Sequence, residues 1–302
     1  MGYHKKIFNF QFSIFNKKSL FIFFVVLGLT YYLFKLISSS AFLKGRDKIN
    51  VVFYGEKARF YSLDRKNINY LLSFSNLVKV IVPGGYGKYK VGAVGKLASL
   101  EKKPDIIRKT FSTMTSTLVD LYFYQKKTNI YYDNSNLKQI PTFMEILLTN
   151  SNANLVDKLF LFYIFSSNNK ENFQTIDLEP FESGGNNSIF DHDSFYKKFQ
   201  GSFFQKTYRS DDINVQIVYT KSYKTAQIIG QMIEGEGIRV VDLSDQGNNL
   251  PKCLLVSNKE TSKSKTSLRL ADFFKCRTQI GETTVSDIIL ELGSLEKEWA
   301  VN

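Results

Sequence analysis

The longest uncharged apolar run is Ser19–Phe34, SLFIFFVVLGLTYYLF. Past Lys35, Leu36–Leu43 extends it, with Ser38–Ser40 inside. From Ser19 to Ile37 the run approaches the roughly 20 residues a helix needs to cross a bilayer. Lys35 is placed to snorkel towards the far interface, and Tyr31 and Tyr32 fall where an aromatic belt belongs. The pattern predicts a transmembrane helix over 19–37 behind a basic cytoplasmic leader over 1–18. Ser39-Ser40-Ala41 has the small-residue spacing of a cleavage site, so a cleaved signal peptide is the alternative. The long charged leader and the long apolar segment favour an uncleaved anchor, and either reading exports the rest of the chain. A later run, Leu159–Phe165, has only seven residues and follows Asp157 and Lys158, so it reads as a buried helix or strand.

Beyond the anchor the apolar pattern shortens. Asn50–Gly55, Ala58–Leu63 and Lys79–Val82 are rich in Val, Ile, Phe and Tyr and end in turn-forming residues, which predicts strands. Val91, Val94 (or Gly95), Leu97 and Ala98 share the face of a helix. Pro104-Asp105 opens another, with Ile107, Phe111, Met114 and Leu118 on one side. Further amphipathic segments lie at about 136–149 and 153–166. Polar runs at Ser166–Lys170 and Ser183–Asn187 predict a linker over 167–210.

Six further elements follow. Val215–Thr220, Ile238–Leu243 and Cys253–Val256 read as strands. Tyr223–Glu234 reads as a helix with Ala226, Ile229, Met232 and Ile233 inward and Gly235 or Gly237 as its C-cap. Ser267–Lys275 reads as a helix carrying Leu268, Leu270, Phe273 and Phe274, and Asp287–Leu292 is a closing strand ending at Gly293. The predicted class is α/β: the transmembrane helix, a divergent α/β domain over 48–166, the linker, and a small C-terminal α/β domain with a four-stranded sheet over 211–293.

That last arrangement resembles the C-terminal domain of the LytR-CpsA-Psr cell-envelope family. The matching text is Val215–Tyr219, the helix with Ala226 and Ile229, Glu236-Gly237-Ile238-Arg239-Val240-Val241, and Ser286–Gly293. Asn50–Gly55, Ser62-Leu63-Asp64 and the strand ending at Pro83 resemble, more faintly, the family's enzymatic domain. The resemblance implies transfer of a glycopolymer phosphate from a polyprenyl carrier to the cell wall, with Arg and Asp side chains and a divalent metal at the pyrophosphate. Where that pattern puts Arg and Asp after the Pro, this chain has Gly84-Gly85-Tyr86-Gly87. No catalytic residue and no cofactor are carried over. The expectation is a non-catalytic binding or scaffolding module outside the membrane, with the divergent, metal-assisted phosphotransferase as the alternative. The partners it implies are the lipid bilayer and a cell-wall or polyprenyl-linked glycopolymer.

Composition bounds these readings. The 302 residues are 43% hydrophobic and 15% aromatic, enough for sizeable cores. Two His and two Cys exclude zinc ribbons and disulfide-dense scaffolds. The net charge of +12 suggests nucleic acid until it is located. Residues 1–48 hold eight basic side chains against Asp47 alone, flanking the apolar run, whereas 211–302 is slightly acidic. This distribution serves membrane topology and not a DNA-binding face.

Three clusters hold candidate chemistry. Gly84–Lys90 lies after a strand and before a helix, where backbone N–H groups can cradle phosphate. With it, Lys88, Lys90 and Arg108 form a candidate anionic-ligand face, and the alternative is a Gly-rich turn beside a solvated basic surface. Asp191-His192-Asp193 reads as a surface loop in the linker. Cys253 and Cys276 either pair as a disulfide in an oxidising compartment or stay as small buried thiols.

Overall fold

The computed structural model describes residues 17–64, 68–126, 129–132, 139–167, 172–183, 188–245 and 251–301. Most of the basic leader, and the polar stretches at 168–171 and 184–187, lie outside the described residues. Helix α1, Lys17–Ser39, touches the body through its last turn, at Leu36 and Ser39. Its segment Leu20–Ser39 has a mean hydropathy of 2.2 with 0% of that window buried, so it is long and apolar enough to cross a membrane.

Three strands follow as an antiparallel meander: β1 (Lys48–Tyr54), β2 (Ala58–Asp64) and β3 (Asn69–Phe74). A hairpin of β4 (Lys79–Val82) and β5 (Gly87–Lys90) leads to helices α2 (Val94–Leu100) and α3 (Asp105–Thr115). Strand β6 (Leu121–Tyr124) returns parallel to β1. Helix α4 (Phe143–Leu148), the short β7 (Asn150–Ser151) and helix α5 (Leu155–Ser167) come next.

Residues 167–210, expected as a linker, contribute structure instead. Strand β8 (Phe173–Ile176) pairs with β3, while β9 (Glu182–Ser183) and β10 (Ile189–Phe190) extend the β4–β5 hairpin into a second sheet. Helices α6 (His192–Phe199) and α7 (Lys206–Asp211) complete the stretch. Isolated aromatics anchor this polar text, for Phe173, Phe181, Phe190, Phe195 and Phe203 are all buried.

The first sheet has the order β7-β6-β1-β2-β3-β8. Its two central strands are apolar on both faces, which makes a three-layer unit. Val52, Tyr54 and Phe60 face α2, α3 and the second sheet, while Ile49, Val51, Phe53 and Tyr61 face α4 and α5.

The C-terminal unit comprises β11 (Asn214–Tyr219), α8 (Tyr223–Gly235), β12 (Arg239–Asp245), β13 (Leu254–Ser257), α9 (Lys265–Phe274), β14 (Arg277–Ile280), β15 (Ile288–Glu291) and α10 (Leu295–Glu298). Its sheet has five strands, β12-β11-β15-β13-β14, not four. The added β14 is an exposed edge strand whose RTQI sequence lacks an apolar signature. Its entry is fixed by a disulfide between Cys253 and Cys276, whose Cα atoms are 4.7 Å apart. Trp299, just beyond α10, packs on Phe273 and Phe274 in this core.

Candidate functional site

The two units meet where α3 ends. Ser116 takes a left-handed conformation (φ 48°), turning the chain into Thr117 and Leu118, and Leu118 enters the C-terminal core. Gly235, in the last turn of α8, packs so close to this turn that a Cβ there would collide with the Ser116 carbonyl. Gly237, with φ +92°, then ends the helix. Gly235 therefore serves close approach and Gly237 serves the C-terminal turn.

That approach brings Glu236 into the seam. Its Oε1 accepts from Thr117 Oγ1 (2.8 Å), Leu118 N (3.1 Å) and Asn50 Nδ2 (3.3 Å). Its Oε2 accepts from Gln205 Nε2 (2.7 Å) and pairs with Arg269 Nη2 (3.3 Å). Arg269 Nη1 also reaches Asp120 Oδ1 at 2.7 Å, and Arg46 closes on the same carboxylate. All four charged side chains are buried, and two guanidiniums balance two carboxylates. Burial pushes Glu236 above the usual carboxylate range, against the pull of Arg269.

Above this buried quartet a cleft of about 330 Å³ opens beside the last turn of α1, with Ser39 and Ala41 in its wall. At its mouth three cations converge on Asp272: Lys44 Nζ at 2.7 Å, Lys275 Nζ at 3.1 Å and Arg46 Nη2 at 3.5 Å. Burial alone would raise Asp272, but Lys44 and Lys275 hold its carboxyl down at about 2. Arg108 lines the same cleft, bidentate to Asp105 (2.5 and 3.1 Å) and stacked 4.4 Å from the Phe273 ring centroid. The mouth pairs reach solvent, since Lys275 is 79% and Asp272 40% exposed by side chain. Of these pairs, the most exposed, Lys275 with Asp272, contributes only about 0–1 kcal/mol to stability.

The residues expected from sequence are distributed differently. The Gly84–Gly87 turn joins β4 to β5 as a hairpin, and the N–H groups of Gly84 and Gly85 both donate to Ala300 O, at 2.9 and 3.0 Å. They are occupied by the chain's own C-terminal segment and do not form a phosphate cradle. Lys88 and Lys90 sit on β5 and do not line the cleft, whereas Arg108 does.

Asp191-His192-Asp193 is the start of a helix, not a loop. Asp191 caps α6 through Ser194 N. His192 is largely buried, with Nε2 at 2.8 Å from Ser116 Oγ. Burial lowers its pKa below the ordinary imidazole value, although Asp193 and the Thr113 carbonyl pull the other way. Ser116 is 3% exposed, so this hydroxyl–imidazole pair serves as a cap for the end of α3.

The seam and cleft residues escaped the sequence reading. The available signal was in α9, where Arg269 is 4% exposed and Leu268 57%, the reverse of what their side chains suggest. A helix that buries an Arg next to Leu270 needs acidic partners from elsewhere. Among the described residues no group of three or more His, Cys, Asp or Glu side chains is placed to hold a metal ion, and the cleft's Asp105, Asp120 and Asp272 are each engaged by basic side chains.

No family model matches the chain, and no curated protein matches it. A solved structure of a transcriptional regulator from Enterococcus faecalis aligns over 64% of this chain and 89% of that one, at 7% identity and a TM-score of 0.30. A likeness of that size carries no argument about fold or function.

Proposed function

We infer that the protein is a single-pass envelope protein of LytR-CpsA-Psr type, with its N-terminus cytoplasmic and its folded units outside. In this reading its membrane-proximal cleft binds the phosphate head of a lipid-linked glycopolymer without transferring it. The observation that carries the reading is the convergence of Lys44, Arg46 and Lys275 on Asp272 at the mouth of a cleft walled by the end of α1. A group held there lies at the depth of lipid head groups when α1 spans the bilayer. The reading of a cytoplasmic N-terminus rests on Lys5, Lys6, Lys17 and Lys18 ahead of the apolar run.

Binding without transfer is favoured by the turn after Pro83. Where the family resemblance calls for Arg and Asp, this chain has glycines whose N–H groups are held by Ala300. The test is to incubate the full-length protein in lipid nanodiscs with a polyprenyl pyrophosphate, a divalent metal and peptidoglycan. Binding with no release of polyprenyl phosphate is the expected result. Release that scales with protein and is lost in Arg108→Gln would establish the phosphotransferase instead.

A further inference from the structure

Helices α4 and α5 bear an exposed apolar face beside the end of α1. On α5, Leu155, Leu159 and Tyr163 recur at every fourth position and are 55%, 55% and 69% exposed. On α4, Met144 is 59% and Leu148 71% exposed. The two helices form one surface: the Phe143 and Phe162 rings meet edge-on at 4.8 Å, and Lys158 Nζ donates to Leu147 O at 3.2 Å.

The inner sides of the same helices already serve the core through Ile146, Leu161 and Phe165. Helix α5 is therefore apolar inside and out. Its charged residues are Asp157 and Lys158, and Asp157 is buried, accepting from Ser40 Oγ at 2.6 Å. A helix on the surface of a water-soluble domain places polar residues outward, and this one places Leu and Tyr there.

The face is fixed to α1. Asn154 Nδ2 donates to Leu36 O (2.8 Å) and to Ser39 Oγ (2.9 Å), and Phe160 stacks on Phe42 at 5.3 Å. These contacts hold the first turn of α5 level with the last turn of the apolar helix. A bilayer that takes up α1 as far as Leu36 reaches Leu155 without a gap.

We propose that the exposed α4–α5 face is a second membrane contact, seated in the outer leaflet next to the exit of α1. The proposal rests on α1 being an anchor. Its occupant is lipid because the patch continues the surface of a helix whose apolar side chains are exposed all round. Leu, Phe and Tyr side chains on an interfacial helix enter the boundary between head groups and acyl chains by about 5–10 Å. With two attachments, the body cannot pivot about α1, and the cleft keeps one height and one direction over the head groups.

Tryptophan reporters test this in the full-length protein. Three variants, L29W in α1, Y163W in the face and I280W on exposed β14, are reconstituted in vesicles of phosphatidylcholine and phosphatidylglycerol. The lipids carry bromine either near the head group or near the bilayer centre. The native Trp299 is buried and supplies a common background. The expected result is quenching of L29W by the deep bromine, and quenching of Y163W by the shallow bromine several-fold stronger than that of I280W. Adding L148K/L159K should remove the Y163W response and leave the same double change in L29W still quenched. If L29W is quenched while Y163W behaves like I280W, the proposal fails and the anchor stands. If L29W is not quenched, the anchor reading fails and the proposal falls with it. A Y163W signal that is shielded yet unquenched, in protein that cross-links as dimers, assigns the face to a second copy and overturns the lipid contact.

Discussion

Arg269 Nη1 lies 2.7 Å from Asp120 Oδ1, and this contact joins the C-terminal unit to the sheet that follows the apolar helix. Asp120, just before β6, also accepts from Asn50 N of β1 at 3.0 Å, so the carboxylate is tied to the first sheet while the guanidinium belongs to α9. The seam is thus built from buried charge as well as apolar packing. Replacing Arg269 by Met leaves Asp120 and Glu236 short of a counter-charge. We expect a loss of about 3–5 kcal/mol, the usual cost of removing one partner of a buried pair. Urea unfolding of the detergent-solubilised protein measures it. Combining R269M with E236Q should cost less than the sum of the single changes, because both partners of one pair disappear together and Asp120 keeps Arg46.

Gly235 carries the same seam by geometry. A methyl group there meets the Ser116 backbone, which cannot move aside as a flexible side chain would. Gly235→Ala is expected to destabilise by about 1–3 kcal/mol, the range for overpacking. The control is Gly230→Ala in the same helix, where a Cβ finds ordinary contacts at 3.6–3.8 Å. Equal stability of the two variants, read by thermal unfolding, would contradict the close approach.

The His192 cap gives a pH dependence with a definite sign. Burial lowers its folded-state pKa below the unfolded value of about 6.5, so between the two values the unfolded chain binds the additional proton. The contribution is complete above about pH 6.5 and is lost as the pH falls through the folded-state pKa. Denaturation midpoints should therefore hold above about pH 6.5 and decline as the pH falls below it in the wild type, and H192Q should flatten the decline. An equal slope in H192Q would place the titrating group elsewhere.

The disulfide closes a loop with a sequence separation of 23 and pins the start of edge strand β14 to the start of β13. Removing it with C253S/C276S is expected to cost about 2–4 kcal/mol. Intact-mass analysis of the non-reduced protein should show no free thiol.

Elements with dense apolar periodicity were legible from sequence. The apolar helix, β1, β2, α3, α8 and the strands around β15 carry their own pattern. Of the elements that escaped, β14 is RTQI and exposed and β8–β10 are short strands in polar text held by single aromatics, while β3 (NYLLSF) and β6 (LYFY) are apolar but short. The site escaped for a related reason. Arg46, Asp120, Glu236 and Arg269 are separated by up to 223 positions in sequence and meet only through tertiary packing. No spacing rule links them. The Gly84–Gly87 turn shows the converse, where a local pattern looked like a phosphate cradle and tertiary packing gave its N–H groups to Ala300.

The most direct measurement is calorimetric titration of the full-length protein, in nanodiscs, with a polyprenyl pyrophosphate. Wild type, K44Q/K275Q and K88Q/K90Q are compared. The account predicts that the wild type binds and that K44Q/K275Q binds at least about tenfold more weakly, a difference of about 1.4 kcal/mol. The hairpin variant K88Q/K90Q should match the wild type. Loss of binding in K88Q/K90Q with none in K44Q/K275Q, or no binding by the wild type, would contradict the membrane-proximal cleft as the ligand site.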